Sequence, residues 1–227
     1  MIVTVVGTGT DVGKTFVTAA LGAALRRHGV DVSAWKPVAS GVPAGEEASD
    51  ASALAAAVGR PIEPPRHVFL PPISPHLAAR HAGVRIDVED LVAHARRLAA
   101  SCEVLLVETA GGLFSPLSDE ATNASLVGAL GGAWVLVAPD RLGVLHDVGA
   151  TLRAARAEGL GTPAALVLSA ASEPDASSGT NEAEIARVTG QPVTAVFPRG
   201  ERDEAAVDQA AHRVWAALST ARTPRGS

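Results

Sequence analysis

The chain has 227 residues and a formal net charge of -5 with no block of like charges, a balance that argues against a nucleic-acid partner. Hydrophobic residues make up 47%, enough for the core of one large α/β domain, yet no apolar stretch reaches the roughly 18 residues of a membrane-spanning helix. The lone Cys102 excludes an intramolecular disulfide and, with no signal peptide legible, leads to the expectation of a reducing, cytoplasmic setting.

Met1 to Val6 is a short β-branched run ending at Gly7 and reads as a buried strand. After a Gly/Thr loop, Lys14 to His28 has helical spacing, with Val17, Leu21 and Leu25 on one face and Gly29 as its terminator. Val30 to Trp35 is the next strand, closed by Lys36-Pro37, and Ser49 to Val58 a helix. Pro61 to Pro75 holds six prolines and is expected to be a loop. Helices over His76 to His81 and Val88 to Ala100 lead into Val104 to Val107, an apolar run suited to a central parallel strand. Ala110 to Asp119 reads as a loop, Ser125 to Leu130 as a helix and Trp134 to Ala138 as a strand. A helix over Val144 to Glu158, a strand over Ala164 to Leu168 and a helix over Asn181 to Val188 follow. Val193 to Phe197 is a short strand, and Glu204 to Leu218 the last helix. The alternation specifies βαβ units: one domain over 1–219, a parallel sheet with helices on both faces, and a flexible tail over 220–227. Ligands of such sheets sit beyond the carboxyl ends of the strands, where the polar clusters of this sequence fall.

The clearest cluster is Gly7-Thr8-Gly9-Thr10-Asp11-Val12-Gly13-Lys14-Thr15, between a strand and a helix. Glycines let backbone N–H groups surround phosphate oxygens at a helix N-terminus. Lys14 can reach the β- and γ-phosphates and Thr15 can ligate Mg²⁺. Five residues rather than four separate Gly7 from Gly13-Lys14, but the strand–loop–helix context is the one a phosphate-binding loop requires. Glu108 ends an apolar strand beside this loop, and a buried acid there needs a cation. Asp50 is either a helix cap or a second metal ligand. Lys36, fixed by Pro37, is either a surface lysine or a neutraliser of charge on a transferring phosphoryl group. His67, His76 and His81 share no ligand spacing with carboxylates, so no zinc site is expected.

In this order the segments resemble the ATP-dependent dethiobiotin synthetase family, P-loop enzymes of biotin biosynthesis. The resemblance is carried by Gly7 to Thr15, Lys36-Pro37-Val38-Ala39-Ser40-Gly41, Ser49-Asp50-Ala51, Ile73-Ser74-Pro75-His76, Glu108-Thr109-Ala110-Gly111-Gly112, Ser115 to Asp119, and Leu142-Gly143. It implies that CO2 adds to one amine of 7,8-diaminononanoate to give a carbamate. Attack on the γ-phosphate of ATP then forms a carbamic–phosphoric anhydride, which the second amine closes to the ureido ring. Lys14 and Lys36 would be catalytic, and Thr15, Asp50 and Glu108 would hold Mg²⁺. The nucleotide would be bound by Asp11 to Phe16, through Val12, Gly13, Lys14 and Thr15, with Asp50, Glu108, Thr109, Ala110 and Gly111. Its base would lie at Ser169 and at Pro198, Arg199 and Gly200. Thr10, Lys36 and Ser40 would hold the diamine or its carbamate. In a homodimer, Leu142, Gly143 and His146 of one subunit would take the carboxylate of substrate held by the other.

The sequence departs from that family at three places. Thr109 stands where glycine is usual, and its Cβ is expected to crowd the phosphates or force a different φ. His146-Asp147 replaces Asn-His, and Ser169 replaces a base-reading Asn, which predicts weak base discrimination. Other readings stay open: a related ligase for another carbamate or carboxylate, a weakened binding protein, and a switch ATPase of the partitioning type. The last usually has an additional lysine early in the loop, which Thr8, Gly9 and Thr10 do not supply.

Overall fold

The computed structural model describes residues 1–46, 48–198 and 203–221. Strands are β1 Ile2–Gly7, β2 Val32–Trp35, β3 Val38–Ser40, β4 His67–Phe69, β5 Val104–Gly112, β6 Ala133–Asp140, β7 Ala165–Ala170 and β8 Ala195–Phe197. Helices are α1 Lys14–Arg27, α2 Ser49–Val58, α3 Pro75–His81, α4 Val88–Ala99, α5 Asn123–Leu130, α6 Val144–Ala157, α7 Asn181–Thr189 and α8 Glu204–Ala221. Six strands pair in the order β2-β5-β1-β6-β7-β8, all parallel. The near-continuous valine and leucine runs are what a sheet covered on both faces demands.

The two-residue side-chain period of β1 divides the core. Val3 and Val5 face one layer with Leu21 and Leu25 of α1, Leu54 of α2 and Val214 of α8. Val6 faces the opposite layer with Val127 of α5, Leu152 of α6 and Ile185 of α7. Under the β2–β5 end, Trp35 and Leu105 pack on Leu91 of α4 and Ala79 of α3. The sheet is thereby sandwiched as the alternation predicts.

Four elements differ from expectation. The proline-rich 61–75 segment contains a strand, β4, which pairs in parallel with β3 as a separate two-stranded sheet. Pro64-Pro65 and Pro71-Pro72 flank that strand rather than interrupt it, and the pairing spans about thirty residues, beyond the reach of local periodicity. Strand β5 continues past Glu108 to Gly112, with a register shift against β1 between the Val5–Glu108 and Gly7–Gly112 pairs. Helix α5 starts two residues early, at Asn123, behind a reciprocal Thr122–Ser125 cap. The last helix runs to Ala221, into the expected tail, and residues 222–227 lie outside those described. Among the described residues no helix is long and apolar enough to cross a membrane.

Candidate functional site

The carboxyl edge of the sheet gathers the chemistry. The loop from β1 to α1 turns through Asp11 at φ 56 and Gly13 at φ 92, left-handed conformations that asparagine-like residues and glycine tolerate. Gly7 is a close approach: a Cβ there would meet Val12 Cγ2 at 2.7 Å and Gly9 O at 2.8 Å. The loop so formed wraps the first turn of α1. Buried Lys14 bends back, its Nζ donating to the Gly9 carbonyl at 2.9 Å.

Glu108, 0% exposed, is the hub. Its Oε1 accepts from Thr15 Oγ1 at 2.8 Å and from Lys36 Nζ at 2.9 Å. Lys36 Nζ also pairs with Asp50 at the start of α2. Three sequence segments from β2, α2 and β5 thus converge on the loop's helix, as the sheet rule anticipates.

The two lysines differ electrostatically. Burial pushes the Lys14 ammonium down to about 8, only partly opposed by Glu108. Burial acts on Lys36 in the same sense, but the carboxylates of Glu108 and Asp50 outweigh it and hold that ammonium above its ordinary range. Lys36 is therefore a fixed cation and no base at neutral pH.

A cavity of about 470 Å³ opens over this hub, with Thr10, Lys14, Lys36, Ser40, Asp50 and Glu108 on its wall. Thr15, Phe16, Ala110 and Gly111 also line it. A second cavity, about 450 Å³, lies across the same loop against Asp11, Val12, Gly13, Phe16, Ser169 and Pro198. Ser169 is pressed onto Gly13 so closely that a Cβ on the glycine would come within 2.7 Å of the serine Cβ. Arg141 also borders this second cavity; the sequence reading did not single it out.

The residues fit a magnesium–triphosphate ligand. Glu108 Oε2 is buried with no hydrogen-bond partner among the described residues, leaving a carboxylate oxygen for a cation. Among the described residues no group of three or more His, Cys, Asp or Glu forms a cage of its own. Magnesium suits such a site, since it is usually bound by one or two carboxylates together with substrate phosphates.

Other expected residues stand apart. Thr109 is buried, its hydroxyl directed to the Val5 carbonyl at 3.4 Å, and its side chain is off the wall of both cavities. Asp11 alone among described non-glycine residues has positive φ, so Thr109 does not take the left-handed backbone that glycine favours. Leu142, Gly143 and His146 form the exposed start of α6, outside both cavities of their own chain. There the Leu142 N–H donates to Asp175 Oδ2 at 2.7 Å. That bond, with those from Ser177, holds the Asp175 carboxyl at about 2. Arg199 and Gly200 lie outside the described residues. Asn123, absent from the sequence reading, clamps the 110–112 segment; the helix it begins was expected to start only at Ser125.

A parallel sheet with a glycine loop, an embedded lysine, a helix-start threonine and a strand-end glutamate defines a P-loop nucleotide-binding protein. Residues 2–205 match the family model described as AAA domain. An ATP-dependent dethiobiotin synthetase BioD of Anaeromyxobacter sp. (strain Fw109-5) is 43% identical over 82% of this chain and 85% of its own length. That of Caulobacter vibrioides (strain NA1000 / CB15N) is 41% identical over 75% and 81%, and that of Caulobacter sp. (strain K31) 40% over 87% and 87%. The chain belongs to the ATP-dependent dethiobiotin synthetase family. In fold alone it is similar to a MinC:MinD cell division protein complex of Aquifex aeolicus, with a TM-score of 0.60, 13% identity, and coverage of 100% of this chain and 98% of that one. A ParA family ATPase from Chlorobium tepidum TLS gives a TM-score of 0.53 at 15% identity, covering 97% and 94%.

Proposed function

We propose that the protein carboxylates and cyclises 7,8-diaminononanoate with CO2 and ATP, giving dethiobiotin, ADP and phosphate. The observation that carries this reading is the convergence of Lys14, Lys36, Thr15, Asp50 and Glu108 on one cavity. The physical task is to bring two anions, a carbamate and a γ-phosphate, into line; oriented positive charge in a site shielded from water makes that tolerable.

In this reading Thr10 and Ser40 orient the diamine at one end of the cavity while CO2 adds to an amine, forming the C–N bond of the carbamate and releasing a proton. A carbamate oxygen attacks the γ-phosphorus and ADP departs. The second amine then attacks the carbamoyl carbon, closing the ring and expelling phosphate. Lys36, kept charged by its two carboxylates, faces the carbamate and the transferring group, and Lys14 faces the β- and γ-phosphates. Thr15, Asp50 and Glu108 would hold magnesium, which would supply the further positive charge the triphosphate requires. No side chain becomes covalently bound.

The base would occupy the second cavity, between Phe16, Ser169 and Pro198. A serine hydroxyl pressed against Gly13 offers less to a base edge than a carboxamide, so CTP and GTP are expected to compete with ATP. The start of α6, with Leu142, Gly143 and His146 exposed, would serve substrate bound to a second subunit in a cytoplasmic homodimer. The deciding assay is purified protein with magnesium-ATP, bicarbonate and the diamine, scored for phosphate and ureido product. Phosphate release without diamine would instead mark a switch ATPase, and turnover only with another substrate a related ligase.

A further inference from the structure

We infer that Asn123 is a positioning residue for the triphosphate–carbamate site, holding the 110–112 segment so that two of its carbonyl oxygens face away from the bound anions. The inference rests on the reading of Ala110 and Gly111 as part of that site's wall.

Asn123 is 1% exposed and lies behind the wall rather than on it. Its Nδ2 donates to the Ala110 carbonyl at 2.7 Å and to the Gly112 carbonyl at 2.8 Å. Its backbone N–H donates to the Ser115 carbonyl at 3.0 Å, and the Gly112 N–H donates to Ser115 Oγ at 2.9 Å. Gly111, between the two clamped carbonyls, sits at φ 76. On its other side the segment abuts the phosphate loop, where a Cβ on Gly112 would meet the Thr8 carbonyl oxygen at 3.0 Å. The segment is thus wedged between the start of α5 and the loop that cradles phosphate.

A carbonyl oxygen turned into this cavity would present partial negative charge to a triphosphate and a carbamate. The Asn123 amide spends both its hydrogens on drawing two such oxygens toward α5. The chemistry is specific to a primary amide: aspartate accepts only, serine donates once, leucine not at all. Asn123 Oδ1 is buried with no hydrogen-bond partner among the described residues, so the donors are what the residue contributes.

Full-length untagged wild type, Asn123→Leu and Asn123→Asp are titrated with the magnesium complex of a non-hydrolysable ATP analogue at pH 6 and pH 8. Thermal unfolding and ureido product are followed in parallel. Asn123→Leu is expected to bind the analogue at least tenfold more weakly. Asn123→Asp should do so at pH 8 and regain part of the loss, relative to wild type, at pH 6, where a buried carboxyl between carbonyls takes up a proton and donates one bond. At pH 6 the protonated side chain of this variant carries no buried charge, so binding and unfolding are compared there on a neutral residue. Wild-type affinity in both variants overturns the inference, as does lowered stability with unchanged affinity and no recovery at pH 6. If wild type binds the analogue but forms no ureido product, the proposed reaction fails while the binding comparison still decides the role of Asn123.

Discussion

Replacing Glu108 by glutamine tests the hub directly. The substitution keeps the shape of a fully buried side chain and removes the charge that faces Lys36 at 2.9 Å. Breaking a buried pair by neutralising one partner costs about 3–5 kcal/mol, because the other charge is left uncompensated. Asp50 still faces Lys36, and its side chain is 39% exposed, so the lower end, about 3 kcal/mol, is expected. For a domain of this size that is a fall in melting temperature of roughly 6–12 °C. Lys36→Met in the same chain should return most of it, since no unpaired cation then remains; the double-mutant cycle should give a coupling of about 2 kcal/mol. The assay is denaturant unfolding followed by circular dichroism, without nucleotide. Additive single effects, or a Glu108→Gln protein within ~0.5 kcal/mol of wild type, would show that this pair does not carry the charge balance assigned to it.

Lys14→Ala and Lys36→Ala should each lower turnover by ~10² or more, measured as phosphate release in the complete assay; near-normal activity in either removes that residue from the mechanism. Lys14, depressed to about 8 in the folded protein, binds fewer protons than the unfolded chain between there and 10.5, so its contribution to stability rises with pH across that window. A triphosphate reverses this by favouring the ammonium, so nucleotide binding should take up protons near pH 8 and weaken above it; calorimetry in buffers of different ionisation enthalpy that detects no uptake would refute the point. Gly13→Ala places a Cβ at φ 92 against Ser169 and should abolish analogue binding while the sheet stays folded, as read by calorimetry and circular dichroism.

How far the sequence carries depends on the range of the signal. Strands such as Val104 to Val107 announce themselves because a doubly covered strand is apolar throughout, and the carboxyl-edge rule brings Lys36 and Glu108 to the phosphate loop without coordinates. Asp50 stayed ambiguous from residues alone, since an acid at a helix start serves as cap or ligand; only its pairing with Lys36 places it at the hub. The β3–β4 pair was hidden because partners distant in sequence leave no local period. Asn123 was hidden because its donors reach carbonyls eleven and thirteen residues earlier, a contact that no motif encodes. Thr109 is the opposite case: a familiar pattern singled the residue out, while only the structure shows its hydroxyl directed to Val5 of β1.

The position of Lys36 between Asp50 and Glu108 has a consequence for the charge balance of the site. In the proposed reading these two acids receive a divalent ion; without a cation between them they would repel one another, and Lys36 is a tethered counter-ion. Ligand capture then becomes an exchange of partners at an already neutralised centre, and a chelator should silence the protein without unravelling it.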